Sequence, residues 1–567
     1  MSCTKSEFVP EDLDASDWKA LEPLYQALLD RELKCRNCLA KLILDRSDLD
    51  AATSEAGANL YIATTRRTDD KEVEKAFQAF VENVEPNLKK VSAGLDRKIA
   101  ESKHAESLDQ DRYGILLRSL RTDIELYREE NIAIETEITL LDQKYNQICG
   151  AMTVDFEGRE QTMPEMGQYL QSTSRGRRET AWRAIADRRL KDRDTIDDLF
   201  EQLLERREQL AKNTGFDNFR DYQHRRMHRY DYTPQDCFRF HDAVEAHCVP
   251  LLQAASETRR KALSAGKLRP WDTAVDIKGR EPLRPFSGAD ELVDGTSRLY
   301  HRMDDRLATM FDELREGDCL DLETRKGKAP GGYQYQREFS RKPFIFMNAA
   351  GLHRDLVTMV HEAGHAFHSM ACREEPILAY RSAPMEFCEV ASMAQELLVF
   401  PYLDAFYPDG EEADRARRNQ LEDLSRTLCW IATIDAFQQW IYTNPGHERD
   451  ARTAKWLELH ERFGEPISWK GLEAQHASLW HRQLHIFGVP FYYIEYGIAQ
   501  LGALQVWANS LEGEGDAIKH YLSALALGGS KSLPELFEAA GAKFDLGPET
   551  VGPLMNRVEA ALEALPV

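Results

Sequence analysis

The sequence predicts a mainly α-helical fold, and three observations carry that expectation. Apolar residues recur every three or four positions through most of the 567 residues, the period of an amphipathic helix and not the alternation of a strand. Strand-like texture is confined to two short blocks, near 151–163 and 329–348. The charged stretch DRYGILLRSLRTDIELYREENIAIETEITLLDQKYNQI keeps the helical period without sustained heptads, so it reads as a solvated helix packed along one side and not as a coiled coil.

Composition bounds the class. With 42% hydrophobic and 30% charged residues, the chain can bury a large core. A formal charge of −23 argues against nucleic acid or an anionic membrane as partner, since both require concentrated Lys and Arg. The opening MSCTKSEFVPEDLD has neither a basic start nor an apolar core, so no secretory signal is expected, and no run approaches a bilayer span. Ten cysteines without repeating spacing point to reduced thiols and a cytoplasmic setting.

Taken in order, Ser16 or Asp17 can cap a helix running to about Asp45. Inside it lies Cys35-Arg36-Asn37-Cys38. No second pair is present to complete a zinc ribbon, and a continuous amphipathic helix is not the turn of a redox site, so ordinary helix cysteines are expected. Further helical patterns cover 48–68, 70–103 and 107–148. MTVDFEGREQTM alternates around Glu157-Gly158 and reads as a β-hairpin. It separates an N-terminal helical region, 1–165, from a second region, 166–567. Helical patterns resume over 175–191, 194–213, 217–229 and 234–265; a Pro-rich connection leads to 287, and another helix is expected at about 290–316. The aromatic and β-branched block from Ala329 to Asn348 argues for a small sheet. An exposed strand there can pair with an extended peptide through main-chain hydrogen bonds. Gly331 and Gly332 are then candidate substrate contacts, or else the glycines of a structural hairpin.

Directly after the sheet stands His361-Glu362-Ala363-Gly364-His365. Apolar residues at Leu356, Met359, Val360, Ala363, Ala366 and Phe367 make it helical. Residues four apart then share a face, so His361 and His365 can grip one metal ion while Glu362, on the neighbouring face, serves as general base. Gly364 costs about 1 kcal/mol relative to alanine inside a helix, which implies that another backbone or a substrate approaches closely there. His368 falls on nearly the same face as His365, either lining the site or structural. A catalytic zinc site needs a third protein ligand and an open position. The next helix, MEFCEVASMAQELLVF, with Ser382 as cap and Pro384 near its first turn, offers Glu386, Glu389 and Glu396. All three share broadly one face, so spacing alone does not choose among them.

HEAGHAFH followed by EFCEVASMAQE resembles the thimet oligopeptidase (M3) family of zinc metallopeptidases, especially its oligoendopeptidase F branch. KAPGGY, PFIFMNAAGLHRDLVTMVHEAGH and the segment HIFGVPFYYIEY, which starts at His485, are similar to the same branch. The resemblance covers about 160–555 and reaches the N-terminal helices loosely. It implies His361, His365 and Glu389 as ligands of one zinc ion and Glu362 as base. Glu396 would orient a ligand imidazole, and Glu386 is a secondary candidate ligand. It also implies that His485, Tyr493 and Tyr496, with Tyr492 beside them, face the metal and steady the tetrahedral oxyanion.

The fold so implied is a two-lobed helical zincin with a deep channel admitting short unfolded peptides. The expected activity is hydrolysis of internal peptide bonds, by a monomer or homodimer. One alternative is a zinc carboxypeptidase or dipeptidyl carboxypeptidase. A remote one is a non-catalytic helical scaffold with structural zinc, for which Cys372 and Cys388 would be candidate ligands.

Overall fold

Helices account for most of the chain, and they end where local chemistry interrupts the backbone ladder. The computed structural model describes residues 7–329, 331–513 and 517–566. The first six residues of the opening segment and Pro330 of the strand block lie outside the described residues.

The single helix expected from 16 to 45 is two, Trp18–Asp30 and Arg36–Arg66. Asp17 caps the first, its carboxylate accepting the Lys19 N–H at 3.0 Å. At its far end Lys98 Nζ donates to the carbonyls of Leu29 and Arg31, which satisfies acceptors a helix terminus leaves open. Residues 31–35 are not helical, and the second helix absorbs the pattern expected at 48–68. The 70–103 pattern divides into Lys71–Asn83 and Glu85–Ala100, because Pro86 has no N–H to continue the ladder. The 107–148 pattern divides into Gln110–Leu126 and Asn131–Gly150. The 290–316 pattern divides into Ala289–Met303 and Asp305–Glu316, the Asp304 carboxylate accepting the Arg306 N–H at 2.9 Å. In each case the apolar period survives the break, which is why the pattern ran the pieces together. The hairpin pairs Thr153–Phe156 with Arg159–Thr162, and its turn residues Glu157 and Gly158 have φ of 53° and 84°, as a two-residue turn requires.

The described residues fall into two compact units that interleave along the chain, a different partition from the division expected at residue 165. The first comprises 1–125, 283–416 and 499–544; the second comprises 126–282, 417–498 and 545–567. In the first unit the N-terminal helices bury Leu21, Tyr25, Leu28, Leu39, Leu42 and Leu95 completely, joined by Ile377 and Tyr380.

The first unit also holds a three-stranded sheet. Its central strand, Lys342–Ala349, runs parallel to Leu320–Glu323 and antiparallel to the edge strand Tyr333–Arg337. Phe344, Ile345, Phe346 and Met347 are buried without alternation, so both faces of that strand are covered. The strand Leu320–Glu323 was not foreseen, being too short to show a period. Its Asp321 binds Arg66, Arg325 and Lys328 at 2.7, 2.6 and 2.8 Å, and Thr65 meets the Tyr333 hydroxyl at 2.6 Å. The long Arg36–Arg66 helix is thereby pinned to the sheet.

Behind the sheet run His353–Ala371, which carries the HEAGH residues, and Met385–Leu398, which carries the glutamates. Pro384, not Ser382, occupies the cap position of the second helix; the Ser382 hydroxyl instead lies 3.4 Å from the Ala383 carbonyl. The two helices meet at Gly364, where an added Cβ would lie 2.5 Å from the Ala391 carbonyl oxygen and 2.6 Å from Ser392 Cα. The close approach implied by the glycine is therefore that of another backbone. Gly364→Ala is expected to cost about 1–3 kcal/mol, the range for overpacking, read as a lowered thermal unfolding midpoint. Among the described residues no helix is long and apolar enough to cross a membrane.

Candidate active site

One helical turn puts the His361 and His365 rings 5.0 Å apart, centroid to centroid. Across the contact at Gly364, Glu389 Oε2 lies 3.6 Å from His361 Nε2 and 3.7 Å from His365 Nε2. Ligand atoms of these three residues lie within 4.8 Å of one another, and no other such cluster occurs among the described residues. Glu386, the other candidate ligand, does not join it. Cys372 donates to the Leu525 carbonyl at 2.9 Å and Cys388 to that of Ala383 at 3.2 Å, so neither thiol supplies the site.

Two of the three, and Glu362 beside them, are held by neighbours. Glu396 Oε1 accepts a hydrogen bond from His361 Nδ1 at 2.7 Å, which fixes a proton on Nδ1 and leaves Nε2 as the nitrogen that can bind a metal by giving up its own proton. The Ser392 hydroxyl donates to Glu389 Oε2 at 3.1 Å. The Glu362 carboxylate accepts the backbone N–H of Gln334, from the edge strand.

Burial governs the electrostatics. It lifts the Glu362 carboxyl to about 7 and also raises Glu389, against the opposing pull of His361. Burial alone would lower His361, but the Glu396 hydrogen bond and the charges of Glu396, Glu362 and Glu389 carry it to about 9. His365, partly exposed, is driven well down by desolvation and by the charge of neighbouring His361. His368 is buried, pushed to about 4 by desolvation, and its Nε2 makes no hydrogen bond. Gly331 has φ of 99°, and its carbonyl accepts from Asn348 Nδ2 at 2.9 Å. At Gly332 an added Cβ would stand 3.3 Å from Thr358 Cγ2, so this glycine packs against the motif helix.

The second unit carries the other candidates. Around His485 the rings of Tyr493, Tyr496 and Tyr492 lie at 4.9, 5.9 and 6.1 Å. A relay fixes the His485 tautomer. Trp430 Nε1, which can only donate, bonds Gln483 Oε1 at 2.9 Å, and Gln483 Nε2 then donates to His485 Nδ1 at 2.7 Å. The ring proton therefore sits on Nε2, and burial lowers the imidazole's pKa, leaving a neutral N–H donor. The backbone of this segment is clamped by two buried arginines. Arg207 donates to the carbonyls of Ile486 and Phe487, and Arg229 to that of Phe491 at 2.5 Å and to Glu495 at 2.9 Å. Gln438 Oε1 accepts the Phe491 N–H at 2.9 Å, holding Phe491 at φ 67°.

Comparison with known proteins decides the family. A model described as "Peptidase family M3" matches residues 168–547. The chain belongs to peptidase family M3. Within it the chain falls in the oligoendopeptidase F branch. It is 25% identical over 291 residues to an oligoendopeptidase F homolog of Borreliella burgdorferi, covering 50% of this chain and 48% of that one. It is 24% identical over 314 residues to the chromosomal oligoendopeptidase F of Lactococcus lactis subsp. cremoris, covering 54% and 50%. The chain thus spans about half the length of the curated relatives it matches. Among solved structures, PZ peptidase A with inhibitor 2 superposes with a TM-score of 0.88 at 26% identity, covering 99% of both chains. The expected mainly helical M3 fold is borne out.

For this M3 chain, several contacts carried no advance signal. Gln334 acts through its backbone N–H, which any residue type supplies. Arg207 and Arg229 lie more than 250 positions from the carbonyls they clamp. Trp430 and Gln483 gave no motif. The Glu396 contact yields a direct test: Glu396→Ala, which removes the acceptor, is expected to weaken binding of added zinc about 10- to 100-fold, the usual cost of losing such a partner, as read by competition with a chromophoric chelator.

Proposed function

We propose that this chain is a zinc-dependent oligoendopeptidase that hydrolyses internal bonds of short unfolded peptides in the cytoplasm, with catalysis in the 166–567 region. The observation that carries the reading is the convergence of His361, His365 and Glu389 ligand atoms within 4.8 Å.

The donor set fits one zinc ion. Bonds of about 2.0–2.1 Å in a tetrahedron place donor atoms about 3.4 Å apart, close to the 3.6 and 3.7 Å separating Glu389 from the two imidazoles. Three carboxylates, Glu362, Glu389 and Glu396, crowd two histidines in a buried place, an excess of negative charge that suits a cation. Two nitrogens and one oxygen with a position left open is a catalytic and not a structural zinc set. Zinc bound there supplies Lewis acidity, polarising a carbonyl and acidifying water.

The protein's own groups do the rest. Glu362, buried and raised toward neutrality, takes the proton of the attacking water and returns it to the departing amine. His485 and Tyr496, with Tyr493 alongside, donate to the oxyanion; the neutral Nε2–H of His485 suits that task. Tyr492 is assigned to the substrate-facing surface, and the buried His368 to the structural alternative. The edge strand, whose Gln334 N–H already reaches Glu362, offers main-chain pairing to an extended peptide, with Gly331 and Gly332 at its start. Such pairing ignores side-chain identity and suits mixed oligopeptides.

The test is digestion of a peptide library blocked at both termini, with and without a chelator, analysed by mass spectrometry. Internal cleavage that disappears on chelation and returns with zinc is expected. Release from free C-termini alone would favour a carboxypeptidase instead, and unchanged cleavage in chelator would sink the metal.

A further inference from the structure

The Cys35-x-x-Cys38 pair lies outside the chemistry described so far. The chain breaks between the first two helices, so Cys35 is not a helix-interior residue. It is extended, at φ −157°, and stands at the N-cap of Arg36–Arg66. Its sulfur accepts the Cys38 N–H at 3.4 Å, and the two sulfurs lie 2.8 Å apart. Both thiols are free; Cys35 is exposed and Cys38 partly so.

We propose that Cys35 and Cys38 form a thiol–disulfide exchange site, with Cys35 the attacking sulfur, Cys38 the resolving sulfur and a small disulfide of the glutathione class the substrate. Three features support the order of attack. Cys35 is the more accessible sulfur. It sits at the positive end of a helix, where a thiolate is favoured. Hydrogen bonds from the Cys38 thiol and from the Cys38 backbone N–H hold its pKa below the usual thiol value. Burial instead raises the thiols of Cys149, Cys237, Cys248, Cys319, Cys372, Cys388 and Cys429. Among the described residues no third metal-ligating group joins the pair, so a closed zinc site is not an alternative there.

The exchange balances in two steps. The Cys35 thiolate attacks one sulfur of the small disulfide, whose S–S bond breaks and releases one thiolate, leaving a mixed disulfide on Cys35. Cys38 then gives up its proton and attacks the Cys35 sulfur, expelling the second small thiolate. Two protein thiols are oxidised to one disulfide, one small disulfide is reduced to two thiols, and the two thiol protons end on the products. None of this depends on the peptidase reading.

The full-length chain is equilibrated in glutathione buffers of graded reduced-to-oxidised ratio, quenched in acid, alkylated under denaturing conditions and mapped by mass spectrometry. Expected is a single transition in which Cys35 and Cys38 lose alkylation together and appear as one linked species, while the buried cysteines remain alkylated. With Cys38→Ser, mixed disulfide should accumulate on Cys35 at least about ten-fold faster than it forms on Cys38 in Cys35→Ser, since the capped sulfur holds the larger thiolate fraction. No Cys35–Cys38 linkage at any ratio would overturn the site. Equal rates in the two variants, or a faster Cys38, would overturn the assignment of roles.

Discussion

Glu362→Gln is expected to lower peptide hydrolysis by about four orders of magnitude, the upper end of what a positioned proton carrier contributes. The upper end applies because one carboxylate is assigned both transfers, from water and then to the amine. Glutamine matches glutamate in shape and can still meet the Gln334 N–H through its side-chain oxygen, so the fold should be kept. Metal content should be kept too, since Glu362 is not among the three converging ligand residues. The measurement pairs kcat/KM on an internally quenched peptide with metal stoichiometry of the same preparation. Activity within ten-fold of the parent, with metal retained, would place the base elsewhere.

The second large effect is expected at the donors of the second unit. His485→Ala and Tyr496→Phe should each lower kcat about 10²- to 10³-fold with little change in KM, the cost of removing one donor from a developing oxyanion. Tyr493→Phe should cost less, because its hydroxyl also engages Trp430 and Gln483. The relay behind His485 sharpens the test. Gln483→Leu leaves the imidazole in place but frees its tautomer, so kcat should fall with it, and nitrogen chemical shifts of His485 should move from the Nε2–H form toward a mixture. A kcat unaffected by His485→Ala would remove that residue from the chemistry.

The sequence made the HEAGH helix legible because its two histidines and intervening glutamate are arranged by helix geometry alone, without tertiary information. The third ligand was another matter. Glu386, Glu389 and Glu396 share a face, and what distinguishes them is the distance between two helices, set by a glycine on one and a carbonyl on the other. Periodicity likewise located helical residues well and helix ends poorly. Pro86 and Asp304 stop helices without disturbing the apolar spacing, and Lys98 secures the end of the first helix from a distant position. The apolar period also runs unbroken through the non-helical residues 31–35, so it does not reveal that Cys35 stands at a helix cap.

Gly364 also bears on how this protein can be made hardier. Filling helix-interior glycines with alanine is a standard route to heat resistance, because it removes freedom from the unfolded chain. Gly114 has room for that change, since an added Cβ would come no nearer than 3.9 Å to any side chain, that of Gln110 in its own helix. The HEAGH glycine does not, for the missing methyl is what lets its helix approach the backbone of Ala391 and Ser392. An engineer working from sequence statistics would treat the two positions alike, and at the second would force two packed helices apart for a gain that never arrives.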